Sequence, residues 1–203
     1  SSAIANAAMA MGVVIIEQCA VRTLQMSAGA VSGVVTEKGE IRCDHVLLAG
    51  GMWSRRFLGN LGVSLPTLPL TCSVLRTQPM EGPTQIAVGA PDFSFRKHKD
   101  GGFIITQRGK LDACLTLDHL LLAKQYMPQF RAQRSVLNVS LGKPFINDLM
   151  LARRWHADSV SPFERIRVQD PAANPQLNND ALNNLIAAWP VFEQARIAHA
   201  WAG

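Results

Sequence analysis

Residues 45–62 read HVLLAGGMWSRRFLGNLG, and this stretch decides the fold that the sequence predicts. An apolar run ends at Gly50 and Gly51, and Phe57 and Leu61 then recur at helical spacing. Glycines between a strand and a helix let the backbone approach a ligand closely, and the helix N-terminus offers donors to an anion. The stretch therefore predicts an α/β unit with a ligand at this corner. A plain tight turn at a sheet edge is the alternative, and spacing alone favours it, because the sequence contains no G-x-G-x-x-G.

The residues before this stretch indicate a helix followed by strands. An Ala- and Met-rich segment predicts a helix that ends at Gly12. The run VVIIEQ, at 13–18, predicts a buried strand because it is β-branched and shows no alternation. Three further strands are predicted over residues 21–25, 31–37 and 41–49. The last of these should be central and parallel, since neither of its faces is polar.

From Leu70 onward the pattern changes to mostly antiparallel strands with flanking helices. Strands are predicted around a hairpin at Asp100-Gly101. A helix over 116–132 should start at Thr116 and end or kink at Pro128. Beyond it, the patterns predict a strand over 163–169, a helix that breaks at Pro190 and a last strand over 195–203.

The composition indicates an ordinary globular protein and argues against several classes. Hydrophobic residues make up 48% and charged residues 17%, so nothing suggests disorder. No apolar run reaches the roughly 18 residues of a membrane helix. The net charge of +5 is scattered and lacks interleaved aromatics, which disfavours nucleic-acid binding. The four cysteines have no C-x-x-C spacing and the histidines no H-x-x-x-H pair, so we predict no metal site and a cytoplasmic protein with reduced thiols.

Several short motifs follow one another in a characteristic order. These are Gly12-Val13, Val21, Thr36 with Gly39, AGGMWS at 49–54, LGVSLPTLPL at 61–70 and the closing WAG at 201–203. Their order resembles the FAD-dependent amino-acid oxidase family, which contains D-amino-acid, glycine and sarcosine oxidases and related dehydrogenases. The resemblance is sharp over 12–70 and thin beyond it. It implies FAD as cofactor and oxidation of the C–N bond of an amino acid or secondary amine, by hydride transfer to the flavin.

The resemblance also implies roles for individual residues. Val21 resembles the residue whose backbone contacts the adenine end of FAD, and Trp53 resembles a tryptophan packed beside the dinucleotide. The remaining residues of the implied cofactor set are Ala49, Gly50, Gly51 and Gly203. No catalytic residue is implied, because the flavin supplies the reactivity.

Two residues of the second half are candidates for substrate binding. Phe95 and Arg96 lie on the strand before the predicted hairpin, and the planar fork of Arg96 suits a substrate carboxylate. An exposed strand charge near a hairpin is the alternative for Arg96, and we favour it about two to one.

The expected architecture is mixed α/β. A partial Rossmann-like FAD-binding portion comprises 1–66, with 190–203 returning to it, and a mostly antiparallel substrate-binding portion comprises 67–189. By the resemblance, the chain is an interior fragment without the phosphate-binding N-terminus and the last flavin segment, so FAD retention and activity should be poor. Two other functions stay open: a non-enzymatic α/β binding or scaffold domain, and, less favoured, an NAD-dependent dehydrogenase.

Overall fold

A computed structural model describes residues 2–203. The helices are α1 (Ser2–Ala10), α2 (Trp53–Asn60), α3 (Leu117–Leu121), α4 (Ala123–Gln133), α5 (Lys143–Met150), α6 (Pro162–Arg165) and α7 (Pro175–Ala188), and a 3-10 helix (Pro190–Gln194) follows them. The strands are β1 (Val21–Ser27), β2 (Ala30–Thr36), β3 (Gly39–Arg42), β4 (Ser73–Thr77), β5 (Val88–Gly89), β6 (Phe93–Lys97), β7 (Phe103–Gln107), β8 (Leu111–Cys114), β9 (Leu137–Ser140) and β10 (Ile197–Ala202).

These strands form three sheets. The orders are β1-β2-β3, β10-β4-β7-β6-β5 and β8-β9. The first two sheets are antiparallel throughout, whereas β8 and β9 pair in parallel. The predicted mixed α/β class with mostly antiparallel sheets is thereby confirmed.

The described residues divide into two compact units. Unit 1 comprises the chain up to Thr67 together with Leu151–Val168, and unit 2 comprises Leu68–Met150 together with Gln169–Gly203. Strand β10 pairs with β4 inside unit 2. The assignment of a flavin side to 1–66 with 190–203, and of a substrate side to 67–189, stays a prediction.

Unit 1 is built on the three-stranded sheet, in which β2 lies between β1 and β3. Gly33 in β2 faces Arg42, and a β-carbon at position 33 would lie 2.6 Å from the carbonyl oxygen of Ile41. Glycine is therefore required at this point of the sheet. The following turn closes because Thr36 Oγ1 donates to the carbonyl oxygen of Gly39 at 2.7 Å. Gly39 has a φ of 128°, which side-chain-bearing residues rarely adopt.

Unit 2 has its core between the five-stranded sheet and α7. Side chains alternate along each strand, so one face of the sheet is apolar. The core consists of Leu75, Phe93, Phe95, Phe103 and Ile105 from the sheet, with Ala181, Leu185 and Phe192 packed on them. The hairpin between β6 and β7 confirms the turn predicted at Asp100-Gly101.

Helix α7 begins at a well-formed N-cap. The side chain of Asn174 accepts hydrogen bonds from the backbone N–H groups of Gln176 and Leu177, and Pro175 occupies the first turn. Asn174 Nδ2 in turn donates to both carboxylate oxygens of Asp112, at 3.1 and 3.0 Å. The start of α7 is thus fixed to β8 inside unit 2.

Two predicted buried strands are wrong. Residues 13–18 form no strand, and β3 ends at Arg42 rather than continuing to residue 49. Val14 is 80% exposed and Leu47 is 91% exposed. An apolar run becomes a buried strand only when neighbouring strands pair with it. Among residues 2–203, no strand pairs with 13–18 or 45–49.

Two further expectations need correction. The strand predicted over 163–169 is instead the short helix α6, because Ser161 and Glu164 form a capping box around Pro162. The helix predicted over 116–132 does start after Thr116, but it divides at Leu122 into α3 and α4. Pro128 lies inside α4, so it does not end the helix.

Candidate functional site

Unit 1 contains a cavity of about 300 Å³ at the corner between its sheet and α2. Four residues of the predicted cofactor set line it: Val21, Ala49, Gly50 and Trp53. The other lining residues are Val34, Val46, Leu47, Leu48, Phe57, Phe163 and Arg167. The walls are therefore apolar and aromatic, with a single charged side chain among them.

The two glycines at the start of α2 serve the turn into that helix. Gly51 has a φ of 52°, in the left-handed region that favours glycine. The backbone N–H groups of Trp53 and Ser54 donate to the carbonyl oxygens of Gly50 and Gly51, at 3.0 and 3.1 Å. The first-turn donors therefore close the turn, and they do not point to a phosphate site at this helix start.

The segment 151–168 returns to unit 1 and completes the cavity. Phe163, from α6, and Arg167, just beyond it, both line the cavity wall. This segment has no functional role in the sequence-based prediction. The S-x-x-E pattern of Ser161 and Glu164 signals a helix start, but no local pattern shows that the helix docks beside a strand more than a hundred residues earlier.

Phe163 is the centre of an aromatic cluster. Its ring packs edge-on against Trp53 with centroids 5.4 Å apart, and against Trp155 at 5.3 Å. Phe57 lies at 6.2 Å in a tilted arrangement. Edge-to-face pairs at these distances are favourable. At the cavity wall, Trp53 is therefore in contact with a ring from the returning segment.

Two bidentate ion pairs hold the segment 151–168 to the sheet of unit 1. Arg22 in β1 donates from Nε and Nη2 to the two carboxylate oxygens of Glu164, at 2.9 and 2.8 Å. Arg167 donates from Nη1 and Nη2 to the two oxygens of Glu37, at 2.6 and 2.7 Å. Paired charges of this geometry give both strength and orientation.

The ion pairs change the acidity of both glutamates. The Arg167 guanidinium, together with the Ala20 N–H, lowers the pKa of Glu37 to about 2. The hydrogen bonds from Arg22 lower the pKa of Glu164 to about 2, against the opposing effect of burial. Both carboxylates are therefore ionised at neutral pH, and the charge of Arg167 is balanced by its partner.

The other predicted site residues lie elsewhere. Gly51 is exposed and is not among the residues that line the cavity. Gly203 belongs to unit 2, where its N–H and carbonyl oxygen pair with the backbone of Cys72. Phe95 is 2% exposed and packs in the core of unit 2, whereas the neighbouring Arg96 is exposed. The structure thus brings together four of the six predicted cofactor residues.

Among residues 2–203, no group of three or more His, Cys, Asp or Glu side chains comes together as a metal-binding set. Of the helices described, none combines the length and the apolar character that a membrane-spanning helix requires.

Comparison with known proteins identifies the family. The family described as FAD dependent oxidoreductase matches residues 2–203, which is nearly the whole chain. The chain belongs to this family. Its sequence is 48% identical to glycine oxidase from Pseudomonas aeruginosa over 54 residues, which is 27% of this chain and 15% of that protein.

Two solved structures are similar to nearly the whole of this chain. L-amino acid deaminase from Proteus myxofaciens, in complex with anthranilate, matches with a TM-score of 0.91 and 34% identity, covering 98% of this chain. L-amino acid deaminase from Proteus vulgaris matches with a TM-score of 0.89, also at 34% identity. The chain spans 44% and 46% of the lengths of these two proteins.

The residues around the cavity fit an uncharged ring of FAD better than its pyrophosphate. The walls are aliphatic and aromatic, and the small side chains at 49 and 50 leave room for close approach. The charge of Arg167 is balanced by Glu37, and the donors at the start of α2 close their own turn. A volume of about 300 Å³ lies at the small end of ligand pockets, so the cavity suits one part of a dinucleotide.

Proposed function

We propose that this chain is part of a flavoenzyme that oxidises the C–N bond of an amino acid or secondary amine, and that the cavity of unit 1 receives an uncharged ring of FAD. One observation carries the proposal: Val21, Ala49, Gly50 and Trp53, which the family resemblance assigned to the cofactor, line one cavity. When bound, FAD supplies the chemistry by accepting a hydride from the substrate C–H next to nitrogen.

The residues of this chain would bind and orient the cofactor. Ala49 and Gly50 leave space for a ligand in the cavity, because neither has a side chain larger than a methyl group. Trp53 and Phe57 provide aromatic walls, and Val21 offers its backbone at the adenine end. Such apolar walls would stabilise a bound ring by burial of apolar area.

The substrate would be met by residues of unit 2. Arg96 is exposed on β6, so its guanidinium is free of the core and suits a carboxylate. Phe95 points to the opposite side of the same strand, where its ring packs against Phe103 at 5.7 Å. We propose that Phe95 anchors the strand and that Arg96 contacts the substrate.

An amino acid is the substrate class that the relatives favour. The two deaminases act on L-amino acids by name and share 34% identity with nearly all of this chain. The ligand in one of them, anthranilate, carries a carboxylate and an amine, as an amino acid does. An α-amino carboxylate offers a carboxylate that suits an arginine and a C–H next to nitrogen that FAD oxidises.

The test is to purify the full-length protein that contains this chain, record its visible flavin absorbance and add amino acids and secondary amines anaerobically. We expect a flavin spectrum that bleaches with at least one amino acid. A full-length protein that binds no flavin, even after incubation with FAD, would contradict the proposal and support the non-enzymatic binding domain. Because the cavity suits only part of FAD, we expect the 203-residue chain alone to retain little flavin.

A variant that fills the cavity tests the site itself. Ala49 is exposed, so Ala49→Leu should leave the fold intact while its added carbons occupy the cavity. We expect about tenfold weaker FAD binding, as for an overpacked site. Ala132→Leu, at an exposed position of α4, is the matched control and should bind FAD as the parent does. Equal affinity in both variants would show that FAD binds elsewhere.

A further inference from the structure

The segment 151–168 reaches the cavity of unit 1 although it is distant in sequence from the rest of that unit. Between Thr67 and Leu151 the chain forms most of unit 2. It then returns and supplies Phe163 and Arg167 to the cavity lining. The remaining lining residues all come from positions 21–57.

The attachment of this segment is more elaborate than its short helix requires. A capping box already closes α6, in which Glu164 Oε1 accepts from both N and Oγ of Ser161, each at 2.8 Å. The same carboxylate also forms the bidentate pair with Arg22, whose side chain is 17% exposed against 10% for Glu164. One carboxylate thus joins the start of α6 to strand β1.

Trp155 adds a second link to the same strand residue. Its indole Nε1 donates to the carbonyl oxygen of Arg22 at 2.8 Å, and its backbone N–H donates to Asn60 Oδ1 at 3.0 Å. Its ring packs on Phe163. The segment is therefore fixed to β1, to the end of α2 and, through Arg167, to Glu37 beyond β2.

We infer that residues 151–168 are a clasp that sets cofactor affinity: the ion pairs of Arg22 with Glu164 and of Glu37 with Arg167 hold Phe163 against Trp53, and Phe163 forms the wall on which the FAD ring packs. This inference rests on the proposed function of the cavity. Phe163 contacts the cofactor in this arrangement, whereas Arg22 and Glu164 are positioning residues that act through it. Glu37 neutralises Arg167, so that the wall presents no net charge to the uncharged ring.

The first experiment compares Phe163→Leu with Phe163→Tyr in the full-length protein. The dissociation constant of FAD is measured by reconstituting the cofactor-free protein and following flavin fluorescence. The leucine variant loses the edge-to-face contact and should bind FAD roughly three- to tenfold more weakly. The tyrosine variant keeps the ring and should restore most of the affinity. Phe192→Leu, the same change in the core of unit 2, should lower the melting temperature of the cofactor-free protein without changing FAD affinity.

The second experiment tests the positioning role of Arg22. Arg22→Lys keeps the charge but loses the planar fork that reaches both oxygens of Glu164. We expect FAD affinity to fall severalfold although Arg22 does not line the cavity. Arg76→Lys is the matched control, because Arg76 pairs with Asp100 within unit 2. It should leave FAD affinity unchanged.

The two proposals fail in different ways. If the parent protein binds no FAD, the proposed function is wrong. If the parent binds FAD but Phe163→Leu and Arg22→Lys lower only the melting temperature, the cavity function stands and the clasp is merely structural. If Phe163→Tyr is as weak as Phe163→Leu, the aromatic ring does not form the cofactor wall, and the inference is again overturned.

Discussion

The ion pair between Arg22 and Glu164 should be energetically coupled, and a double-mutant cycle measures that coupling. The variants are Arg22→Met, Glu164→Gln and both together. Arg22→Met leaves the carboxylate with its two bonds from Ser161, and Glu164→Gln leaves Arg22 with the carbonyl oxygen of Ala157 at 3.4 Å. Each single change therefore removes the pair without leaving either partner wholly unsatisfied, which is the condition for a clean cycle.

The expected coupling follows from the geometry and exposure of the pair. Two charge-assisted hydrogen bonds, at 2.9 and 2.8 Å, join side chains that are 17% and 10% exposed. Such bonds contribute about 1.5–3 kcal/mol each when their partners are removed, whereas fully exposed pairs contribute less than about 1 kcal/mol. Both side chains remain partly exposed to solvent and have other hydrogen-bond partners. We therefore expect a coupling energy of about 2 kcal/mol, within the range known for contacting residues.

Hydrogen–deuterium exchange of peptides over 151–168 is the direct assay, because it reports local opening of this segment. The protected amides include those of Glu164 and Ile166, which donate within α6. A loss of about 2 kcal/mol corresponds to roughly thirtyfold faster exchange. Peptides from the β6–β7 hairpin of unit 2 should exchange as in the parent. A coupling below about 0.5 kcal/mol would refute the reasoning, since the pair would then behave as an exposed one.

Three further predictions concern stability. Gly102→Ala should destabilise unit 2 by about 1–3 kcal/mol, because the added β-carbon would lie too close to the Thr77 carbonyl oxygen. Gly109→Ala is the control, since the nearest atom to its added β-carbon would be 3.7 Å away. Equal melting temperatures of the two variants would contradict the clash. Leu185→Ala, at a position that is 0% exposed, should cost about 2–5 kcal/mol in urea unfolding, and a cost under about 1 kcal/mol would mean that the core collapses around the gap. The pKa of Glu37 is lowered from 4.5 to about 2, so its ion pair contributes stability above pH 4.5 that is lost as the pH falls towards 2. Glu37→Gln should therefore make the free energy of unfolding less dependent on pH between 4.5 and 2. An unchanged pH dependence would show that the ion pair of Glu37 does not contribute to stability.

Local signals in the sequence predicted the antiparallel parts of the fold well. The hairpin at Asp100-Gly101 forms as expected, because the turn chemistry and the alternation of the flanking strands point the same way. Helix α7 starts at its Asn-Pro cap and ends before Pro190 for equally local reasons. In each case the information lies within a few residues of the feature.

Long-range pairing is what the sequence does not reveal. Residues 13–18 have every local property of a buried strand, yet they form none within the described chain. A parallel strand depends on neighbours that are distant in sequence, and composition alone does not supply them. In the segment around Phe163, a strand is predicted where a helix forms. Its alternation suggests a strand, although the Ser161-to-Glu164 spacing gives a stronger, local reason for a helix.

The two glycines at the start of α2 show that a turn and a ligand site can both account for the same residues. Gly50 belongs to the predicted site because a dinucleotide needs close backbone approach, and it does line the cavity. Gly51 adopts its positive φ for the turn into α2, and a β-carbon at position 51 would meet nothing within 4 Å. Both explanations can therefore hold for this dipeptide, because each concerns a different residue. Gly51 serves the turn, and Gly50 lines the cavity. A substitution at Gly51 would strain the turn, whereas one at Ala49 would fill the cavity.

The clasp also explains why so short a returning segment carries so many polar contacts. A wall made by one aromatic ring on a four-residue helix would be mobile, since a helix of this length has little stability of its own. The bidentate pair between Arg22 and Glu164 fixes the helix through a carboxylate that already caps it. Cap and ion pair therefore support each other, and loss of Arg22 should loosen the ring of Phe163 before it unfolds the sheet. Under the proposed function of the cavity, we therefore expect FAD affinity to be the property most sensitive to this contact.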